Sequence, residues 1–503
     1  MKKRISALFM SCIMIFALGA CKPNKTDSDP VSSGEVQSDD PSFDVDFGSE
    51  AAVSAQESTA VTQSSGGGTT SKNTAASQPG QPSQFVPKEG DTVEKGLNFG
   101  GKTFTKTIIG EISAKKMRTI QAFEKKFNCK IELVKLKWET YNSSVATSVA
   151  SGKPYDICGL SNYFFPEGVV SNLYQPLDNY ITTADVYSPG KPGIDLTYSA
   201  YFNYNGKMYG ASTHTGDFSS FPTVLFYNKK MMGDAGYKGN KDPLAMWKAG
   251  TWTWKTFEDM ATALYDPARK KYIGGREMHG MPLYTNGGYP IKIEGGKVKE
   301  NLTDSKFYKE LEKMKQWYGS STTKFSSNGF SDDPSEFFNG NHYMFMQMSQ
   351  YGPLNLMPKI DSKEAFGANA KERIANLGIV PLPLGPDNTK KAVASSFLNA
   401  KASAKGAKDP RVVIAYTKFT ETFDDPMKDE DPYLWDAETQ KFINSLYDNL
   451  IIPIVNYKTS STSTGALLEE IAQVAISGGN ISTAITDRKG TFQSVIDESL
   501  KQK

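Results

Sequence analysis

The sequence predicts an α/β protein with two lobes of similar size, preceded by a long disordered segment. Three observations support this prediction. Strand-like and helix-like patterns alternate from Phe99 onward, which is typical of parallel sheets covered by helices. These α/β units recur without an internal sequence repeat. Residues 22–98 are polar and of low complexity, so they have too few large apolar side chains to form a core.

The first 20 residues have the pattern of a secretory signal peptide. Three basic residues at positions 2–4 precede an apolar run at 7–17. The following Leu18-Gly19-Ala20-Cys21 resembles a bacterial lipobox, which implies cleavage before Cys21 and a diacylglycerol group on its thiol. Two alternatives are an uncleaved membrane anchor, although the apolar run is shorter than the roughly 20 residues of a spanning helix, and a signal peptide with an incidental cysteine.

Residues 21–98 are predicted to be a lipidated cysteine followed by a disordered tether. Positions 26–71 contain nine acidic residues and no basic residue, whereas residues 99–503 contain 49 basic and 43 acidic residues. A flexible coil of this length has a root-mean-square span of roughly 45–50 Å. That reach suits a body that must move relative to a partner in the membrane.

The composition of the body, residues 99–503, excludes several classes of protein. Its basic and acidic residues are interspersed, so it lacks the concentrated basic stripe of a nucleic-acid-binding protein. No window after residue 21 approaches 18 consecutive apolar residues, which excludes a multi-span membrane protein. Cys129 and Cys158 lie in apolar, strand-like runs, so buried free thiols are favoured over a disulfide, but sequence alone leaves their redox state open.

The body begins with three predicted strands, at 103–109, 131–136 and 156–160. A helix lies between the first two, because four apolar residues recur at helical spacing, and another helix is predicted at 141–151. The four residues are Met117, Ile120, Phe123 and Phe127. Ligands of open α/β sheets bind beyond the carboxyl ends of the strands, so we expect binding residues near 110–113 and 161–163.

The alternation continues through the rest of the body, with strands predicted at 223–227, 343–346 and 377–380. Helices are predicted where apolar residues share one face. These faces consist of Trp254, Phe257, Met260, Ala261 and Leu264; of Phe307, Leu311, Met314 and Tyr318; of Leu468, Ile471, Val474 and Ala475; and of Phe492, Val495, Ile496 and Leu500. Trp252 and Trp254 open the first of these helices and are expected to be structural.

Five segments of the body carry a resemblance to a known family. They are Tyr204-Asn-Gly-Lys-Met-Tyr-Gly210, Leu225-Phe-Tyr-Asn-Lys229, Thr251-Trp-Thr-Trp-Lys-Thr-Phe257, the methionine-containing stretch 337–346 with Tyr351-Gly-Pro353, and Ile379-Val-Pro-Leu-Pro-Leu-Gly-Pro386. Each is weak alone. In this order, and behind a lipobox, they resemble motifs of family 1 extracellular solute-binding proteins, the maltose-binding-protein-like receptors of ABC importers.

The resemblance covers nearly all of the body and implies a two-lobed, periplasmic-binding-protein-like fold of type II. The first lobe would comprise 99–214 and 394–434, and the second lobe 218–390 and 435–503. Crossover segments would join the lobes, and the ligand would lie in the cleft between them. Hinge closure around a ligand is the motion expected of such proteins.

The function implied by the resemblance is that of a monomeric receptor on the extracellular face of a bacterial cell membrane, held there by its lipid anchor. It would capture a carbohydrate, in particular an oligosaccharide, and deliver it to the transmembrane subunits of an ABC permease. No cofactor is expected. Two other hypotheses stay open: a receptor for another solute, such as a peptide or polyol, and a lipid-anchored polysaccharide-degrading enzyme.

Aromatic residues are the first candidates for the binding site, because the C–H faces of sugars pack on rings while their hydroxyls need hydrogen bonds. The resemblance places Tyr351 where the family often has a stacking tryptophan. It places Tyr284 and Tyr289 in a cleft loop that supplies a stacking tyrosine. Trp138 either packs at a strand end or reaches the cleft.

Polar candidates occupy loops that should face the cleft. Some follow the first and third strands, and others lie in or beside the predicted crossovers; the alternative for each is an ordinary capped or solvated loop residue. They are Glu111, Asn162, Tyr163, His214, Asp217, Ser396, Asn399, Asn456 and Tyr457. A carboxylate that accepts from vicinal hydroxyls would explain Glu111 or Asp217, whereas a peptide ligand would instead require an arginine.

Motifs for catalysis or metal binding give little support to an enzyme. Residues 96–103 match the P-loop pattern, but a tether precedes them and a strand follows, which is the wrong context for a phosphate loop. The chain has three histidines and contains neither HExxH nor GxSxG. The remaining glycosidase candidates are the acidic pairs Asp332-Asp333, Asp424-Asp425 and Asp429/Asp431, whose neighbouring prolines indicate exposed turns.

Overall fold

The computed structural model describes residues 86–500, except for 111, 113, 215–219, 270, 275–279, 284, 295–296, 320–334, 350–359, 361, 396, 425–434, 452–455 and 460. The first lobe begins with alternating strands and helices, as predicted. They are β1 (Lys102–Ile109), α1 (Ala114–Phe127), β2 (Cys129–Leu136), α2 (Tyr141–Ala150), β3 (Cys158–Ser161), α3 (Glu167–Val170), β4 (Tyr174–Gln175), α4 (Leu196–Ser199), β5 (Asn203–Tyr204) and β6 (Lys207–Met208).

The second lobe follows the first crossover of the chain. Its elements, with the short crossover strand β7 in front, are β7 (Ser220–Phe221), β8 (Thr223–Asn228), α5 (Lys229–Asp234), α6 (Pro243–Ala249), α7 (Trp254–Leu264), β9 (Ile291–Glu294), β10 (Lys297–Glu300), α8 (Ser305–Tyr318), α9 (Ser335–Phe338), β11 (Met344–Met348), α10 (Lys363–Phe366), α11 (Ala370–Asn376) and β12 (Leu377–Pro381).

The remaining elements return to both lobes. They are β13 (Val393–Ala394), β14 (Phe397–Ala404), α12 (Arg411–Thr422), α13 (Ala437–Leu446), β15 (Leu450–Ile451), α14 (Thr464–Ile476) and α15 (Ile481–Leu500). The strand β14 joins the sheet of β3 and β4, and α12 packs on α1 through rings whose centroids lie 5.1 Å apart, Phe123 and Tyr416. At 397–422 the chain thus returns to the sheet of β3 and β4 and to α1.

The sheets are mixed rather than parallel throughout, which corrects the sequence prediction. The pair β1–β2 is parallel, with Lys102 opposite Cys129, and a parallel bridge joins Lys106 to Ile157. The strand β8, however, lies between β11 and β12 and is antiparallel to both, and β14 is antiparallel to β3. Strand and helix periodicity are local, so they carry no information about the direction in which a later strand returns to a sheet.

Three two-residue strands pair in two separate places where the chain passes between the lobes. The strand β7 pairs with the start of β14, with Phe221 opposite Phe397. The strand β13 runs parallel to β15, with Val393 opposite Leu450. We call β7, β13 and β15 the crossover strands. The C-terminal helix α15 also contacts both lobes, since Tyr204 Oη donates to the Leu500 carbonyl (3.1 Å) and Gln493 Oε1 accepts from the Glu300 N–H (2.8 Å).

The predicted apolar faces form the cores. In α7 the buried residues are the five predicted, Trp254, Phe257, Met260, Ala261 and Leu264, and the predicted faces of α8 and α15 are also buried. On α14, Val474 is only half-buried, while Leu468, Ile471 and Ala475 are buried. Cys129 and Cys158 are buried free thiols, and burial raises the pKa of Cys129 to about 11.

The ordered body begins before Phe99, so the predicted tether, which extended to residue 98, is too long. Lys88 forms a parallel bridge with Thr182, and the Val93 N–H donates to Asp185 Oδ1 (2.9 Å). Lys418 Nζ on α12 lies 2.7 Å from the same carboxylate oxygen. Residues 86–98 are polar in composition, which is why they were predicted to be disordered. Their polar groups hydrogen-bond to the buried Asp185, and composition cannot reveal a partner so distant in sequence.

No helix among the described residues is long and apolar enough to cross a membrane.

Candidate functional site

The ends of β2 and β3 bring two predicted site residues together. The rings of Trp138 and Tyr163 meet edge to face with centroids 5.8 Å apart, and both side chains are half-buried. Trp138 also packs against Phe164, with centroids 4.6 Å apart. Trp138 therefore packs at the strand end beside Tyr163, and its role in ligand binding stays a prediction.

A buried layer supports this aromatic pair. The Tyr141 ring stacks on Phe164 with centroids 4.6 Å apart and an interplanar angle of 7°. The Tyr141 hydroxyl lies 2.6 Å from Thr107 Oγ1 and accepts the Gly159 N–H at 2.7 Å, which ties α2 to β1 and β3. Burial raises the pKa of Tyr163 to about 12, so its phenol is neutral at physiological pH. The pair is a fixed, uncharged surface of the kind that suits a sugar face.

Asn162 and Asn399 lie where β3 meets β14. The Asn162 N–H donates to the Leu398 carbonyl (2.9 Å), and Asn162 Oδ1 accepts the Leu398 N–H (3.1 Å). Asn399 pairs with Ser161 across the two strands. Asn162 thus fastens the end of β3 to the strand that enters from the second lobe, and both residues stand beside the crossover strands.

The third group is the loop Thr285–Tyr289, which we call the 285–289 loop. Glu310, buried on α8, accepts the N–H groups of Asn286 (2.9 Å) and Gly288 (3.1 Å) through Oε1. A side chain at Gly288 would collide with the backbone of Phe307, so the loop lies directly on α8. Burial raises the pKa of the Glu310 carboxyl well above its ordinary value, against the opposing effect of the two N–H bonds.

Tyr289 ends this loop, and its phenol is influenced by a tyrosine from an earlier part of the chain. Its side chain is half-buried, and its pKa is raised, first by burial and then by the nearby phenol of Tyr201 and carboxyl of Glu310. Tyr201 belongs to the first lobe, in a short 3-10 helix between α4 and β5. The two phenols are therefore close enough to influence each other, and the role of Tyr289 in ligand binding stays a prediction.

His214 was expected to contact the ligand, but its ring lies between two carboxylates of the protein. Its ring Nδ1 lies 2.7 Å from Asp195 Oδ2, and its Nε2 lies 3.1 Å from Asp448 Oδ1. One face of the ring stacks on Tyr187, with centroids 4.3 Å apart. Burial lowers the pKa of His214, but the bonds and charges of the two aspartates outweigh it, so that the pKa lies above its ordinary value. Both ring nitrogens thus have partners within the protein.

Asn456 and Tyr457 also have structural roles. Asn456 Oδ1 accepts the Gly465 N–H (2.9 Å), one of the N–H groups left open at the start of α14. Tyr457 is buried in the core, and burial raises its pKa. Both residues were predicted to lie where the last segment of the chain passes the cleft, and their described contacts hold α14.

Several predicted site residues lie outside the described residues. They are Tyr351, Tyr284, Glu111, Asp217, Ser396 and the lipidation site Cys21, together with the acidic pairs apart from Asp424. Trp252 and Trp254 are structural, as predicted: their indole N–H groups donate to the Pro381 carbonyl and to Thr285 Oγ1, each at 2.8 Å.

Glu310, Asp195 and Asp448 were not predicted from the sequence. A signal for Glu310 did exist, because a carboxylate occupies the apolar stripe of α8 between Phe307 and Leu311. No comparable signal marks Asp195 or Asp448, whose carboxylates meet His214 from positions 19 and 234 residues away. Among the described residues, no group of three or more histidine, cysteine, aspartate or glutamate side chains could hold a metal ion.

Comparison with known proteins gives one family and many structural relatives. Residues 118–422 match the sequence profile of the family described as bacterial extracellular solute-binding protein. No curated protein matches the chain significantly.

Three solved structures illustrate the structural similarity. The sugar-binding protein MalE of Xanthomonas citri superposes with a TM-score of 0.59 at 16% identity, over 80% of this chain and 100% of its own. An ABC substrate-binding protein of Listeria monocytogenes, solved with cycloalternan, gives 0.55 at 16%, over 80% and 100%. A galacto-N-biose/lacto-N-biose I-binding protein of Bifidobacterium longum, solved with lacto-N-biose, gives 0.53 at 16%, over 80% and 98%. These matches show the predicted two-lobed, periplasmic-binding-protein-like fold of type II.

Proposed function

Because the chain belongs to the bacterial extracellular solute-binding protein family, we propose that it is the receptor of an ABC importer and that its ligand is a carbohydrate, in particular an oligosaccharide. The ligand binds in the cleft between the lobes. A lipid on Cys21 holds the receptor at the outer face of the cell membrane. The protein releases its ligand unchanged to the permease, without catalysis.

The observation that carries the sugar proposal is the aromatic pair at the strand ends. Trp138 and Tyr163 are both half-buried and meet just beyond the carboxyl ends of β2 and β3, where α/β folds bind ligands. Tyr289 supplies a ring from the second lobe. Rings from both lobes can pack against the two C–H faces of a sugar. The relatives solved with cycloalternan and lacto-N-biose share the fold and support the same ligand class.

The mechanism rests on a difference in affinity between two conformations. A ligand that contacts both lobes only when the cleft is closed binds that form more tightly, so it shifts the equilibrium toward closure. The chain can bend at the crossover strands, since β7, β13 and β15 are each two residues long. The permease then recognises the closed receptor.

A thermal-shift screen tests the ligand class directly. The purified protein is heated with monosaccharides, linear and cyclic oligosaccharides, polyols, amino acids and short peptides. A ligand at 1,000 times its Kd adds about 4 kcal/mol to the free energy of unfolding. We expect a shift with one or more oligosaccharides. A shift with peptides or polyols alone would contradict the sugar proposal, and turnover of a glycan by the pure protein would contradict the receptor proposal.

Alanine variants of the aromatic pair locate the site. Loss of a stacking ring removes about 1–2 kcal/mol of binding free energy, so Trp138→Ala and Tyr163→Ala should each raise the Kd of the identified sugar roughly tenfold. The matched control is Tyr308→Ala, because Tyr308 is also half-buried but lies on α8. Unchanged affinity in both Trp138→Ala and Tyr163→Ala would place the site elsewhere.

The lipid anchor has a separate test. In a bacterial host, metabolic labelling with a fatty acid should label the wild-type protein and leave Cys21→Ala unlabelled, and mass spectrometry should find a diacylglycerol on Cys21. A labelled Cys21→Ala protein would contradict the proposed attachment site.

A further inference from the structure

His214 contacts two carboxylates, one in the first lobe and one in the segment that leads into β15. We call this second segment the third crossover. Asp195 is the N-cap of α4, where its Oδ1 accepts the Thr197 N–H at 2.8 Å, and its Oδ2 faces His214 Nδ1 at 2.7 Å. Asp448 lies two residues before β15, and its Oδ1 faces His214 Nε2 at 3.1 Å. We call His214, Asp195 and Asp448 the His214 bridge. Its two ends belong to segments that must move relative to each other if the crossovers bend.

The distances require a particular charge on the ring. A neutral imidazole has one N–H donor and one lone pair, so one of its two nitrogens would face a carboxylate oxygen without a proton between them. Only the protonated ring donates to both aspartates. The side chain of His214 is 11% exposed and that of Asp195 is 7% exposed, so the charges attract each other with little screening by water.

The other titratable groups around the ring do not compete for this proton. Tyr187 stacks on the ring at 4.3 Å, Tyr198 lies 5.7 Å away and Tyr447 lies 6.3 Å away. Burial, followed by nearby carboxylates for Tyr187 and Tyr198, raises the pKa of all three phenols, so they stay neutral. A further charged neighbour among the described residues is Glu421 on α12, which accepts the Gly193 N–H at 2.8 Å and contributes to the raised pKa of Tyr187.

The two ends of the bridge differ in rigidity. The carboxylate of Asp195 is buried and also accepts N–H groups of α4, so it is fixed to the first lobe. The side chain of Asp448 is 65% exposed and lies on a short 3-10 helix, Tyr447–Asn449. Bending of the crossovers would therefore change the contact between His214 and Asp448 first.

We propose that a single proton on His214 couples pH to the opening and closing of the cleft, because the charged ring ties the first lobe to the third crossover and favours the conformation described here. The coupling to ligand affinity rests on the proposed solute-binding function, whereas the bridge itself does not. When His214 loses its proton, the contact with Asp448 weakens and the other conformations become more populated. By linkage, any ligand that selects one conformation then binds with a pH-dependent affinity.

The sign of the effect follows from the pKa. Because the pKa of His214 is raised above its ordinary value of 6.5, the bridge is fully present below pH 6.5 and is lost as the pH rises through the folded-state value. The pH range over which the bridge is lost thus begins near neutral pH and extends to alkaline pH.

The first test is a histidine-ring NMR titration of the full-length protein without ligand, with His214→Gln to assign the signal. We expect His214 to titrate above 6.5 in the wild type and at a lower pH in Asp448→Asn. The control signal is His342, whose pKa is lowered to about 4 by burial and which should not respond to Asp448→Asn. The proposal is overturned if His214 titrates at pH 6.5 or below, or if its pKa is the same in the wild type and in Asp448→Asn.

The second test measures the distance between the lobes by pulsed electron paramagnetic resonance. Spin labels are placed at Lys125→Cys on α1 and Lys371→Cys on α11, in a chain with Cys12→Ser and Cys21→Ser; the buried thiols Cys129 and Cys158 have raised pKa values and react poorly. We expect the distance distribution to change between pH 6 and pH 9, and to stay constant in His214→Gln. The coupling is refuted if the distance distribution of the wild type is the same at pH 6 and pH 9, or if it changes equally in His214→Gln.

The two tests separate this proposal from the proposed function. Neither uses a ligand, so a protein that binds no sugar can still show a pH-dependent distance. A protein that binds sugar without such a change would retain the proposed function and lose the His214 coupling.

Discussion

At the scale of single residues, two histidines show how their surroundings decide a charge. His214 lies between two carboxylates, which raise its pKa above the ordinary value although burial opposes them. His342 is 4% exposed, and burial lowers its pKa to about 4, against a weaker opposing effect of Glu336. The same side chain is thus held charged at one position and neutral at the other.

His342 gives the first prediction. The unfolded chain binds a proton at His342 near pH 6.5 and the folded chain only near pH 4, so its contribution to stability is present above pH 6.5 and is lost as the pH falls through that interval. The full loss corresponds to roughly 3 kcal/mol. Urea unfolding at pH 7 and pH 5 measures it.

The matched variant for this prediction is His342→Gln, which cannot take up the proton. We expect the stability of His342→Gln to fall less between pH 7 and pH 5 than that of the wild type. Equal slopes in the two proteins would mean that His342 does not titrate in this way.

At the scale of elements, the attachment of the 285–289 loop to α8 decides where Tyr289 points. Two backbone N–H groups of the loop share one carboxylate oxygen of Glu310, and the Trp254 indole holds Thr285 from α7. Asn286 also binds the segment after β12, since its Oδ1 accepts the Asp387 N–H at 2.8 Å. The loop is therefore fixed by three separate segments before any ligand binds.

Substitution of Glu310 gives the second prediction. In Glu310→Ala the N–H groups of Asn286 and Gly288 lose their buried acceptor, which should lower the free energy of unfolding by about 2–4 kcal/mol. The sugar identified in the screen should also bind more weakly. Denaturant unfolding and calorimetric titration measure the two effects.

Glu310→Gln is the control, because its amide oxygen can accept the same two N–H bonds at nearly the same volume. We expect this variant to recover most of the stability and affinity. If Glu310→Gln is as impaired as Glu310→Ala, the ionised carboxylate matters and the hydrogen-bond account of the loop is wrong.

The start of α14 gives the third prediction. Asn456 Oδ1 accepts the Gly465 N–H, so Asn456→Ala leaves an open donor in the first turn and should lower the free energy of unfolding by about 1 kcal/mol. The sugar affinity should stay within twofold. A variant of unchanged stability but much weaker affinity would restore the ligand-contacting role predicted from sequence.

At the scale of the whole molecule, the body begins at the latest at Lys88, which forms a bridge with Thr182. Residues 86–98 contact the first lobe through Asp185, a side chain with no exposed surface, and through Lys418, which is 8% exposed. Glu94 adds an ion pair with Lys418 at 3.2 Å. The N-terminal segment thus covers an ion pair that would otherwise lack several of its partners.

Truncation gives the fourth prediction. A chain that begins at residue 86 should melt at the same temperature as the full-length protein. A chain that begins at residue 99 leaves Asp185 without the Thr92 hydroxyl and the Val93 N–H, so we expect the melting temperature to fall by roughly 5 °C. Calorimetry measures both. Equal melting temperatures for the two truncated chains would mean that residues 86–98 add no stability.

Much of the fold could be predicted because its signals are local. The helical spacing of Trp254, Phe257 and Leu264 and the apolar runs of β1, β2 and β8 reflect burial within one element, and each element formed where it was expected. The candidate site was harder. Trp138 and Tyr163 were found because they follow strands, whereas Asn456 and Tyr457 stand at the expected place in the chain but contact α14.

The sequence by itself determined the order and type of the predicted elements and the family to which the chain belongs, because periodicity and motifs depend on neighbouring residues. Only the tertiary structure decided that β8 and β14 pair antiparallel, that Glu310 holds the 285–289 loop, and that Asp195 and Asp448 meet at His214. Such contacts join residues far apart in the chain. Their energy comes from burial and from charges brought together by folding, which no local pattern records.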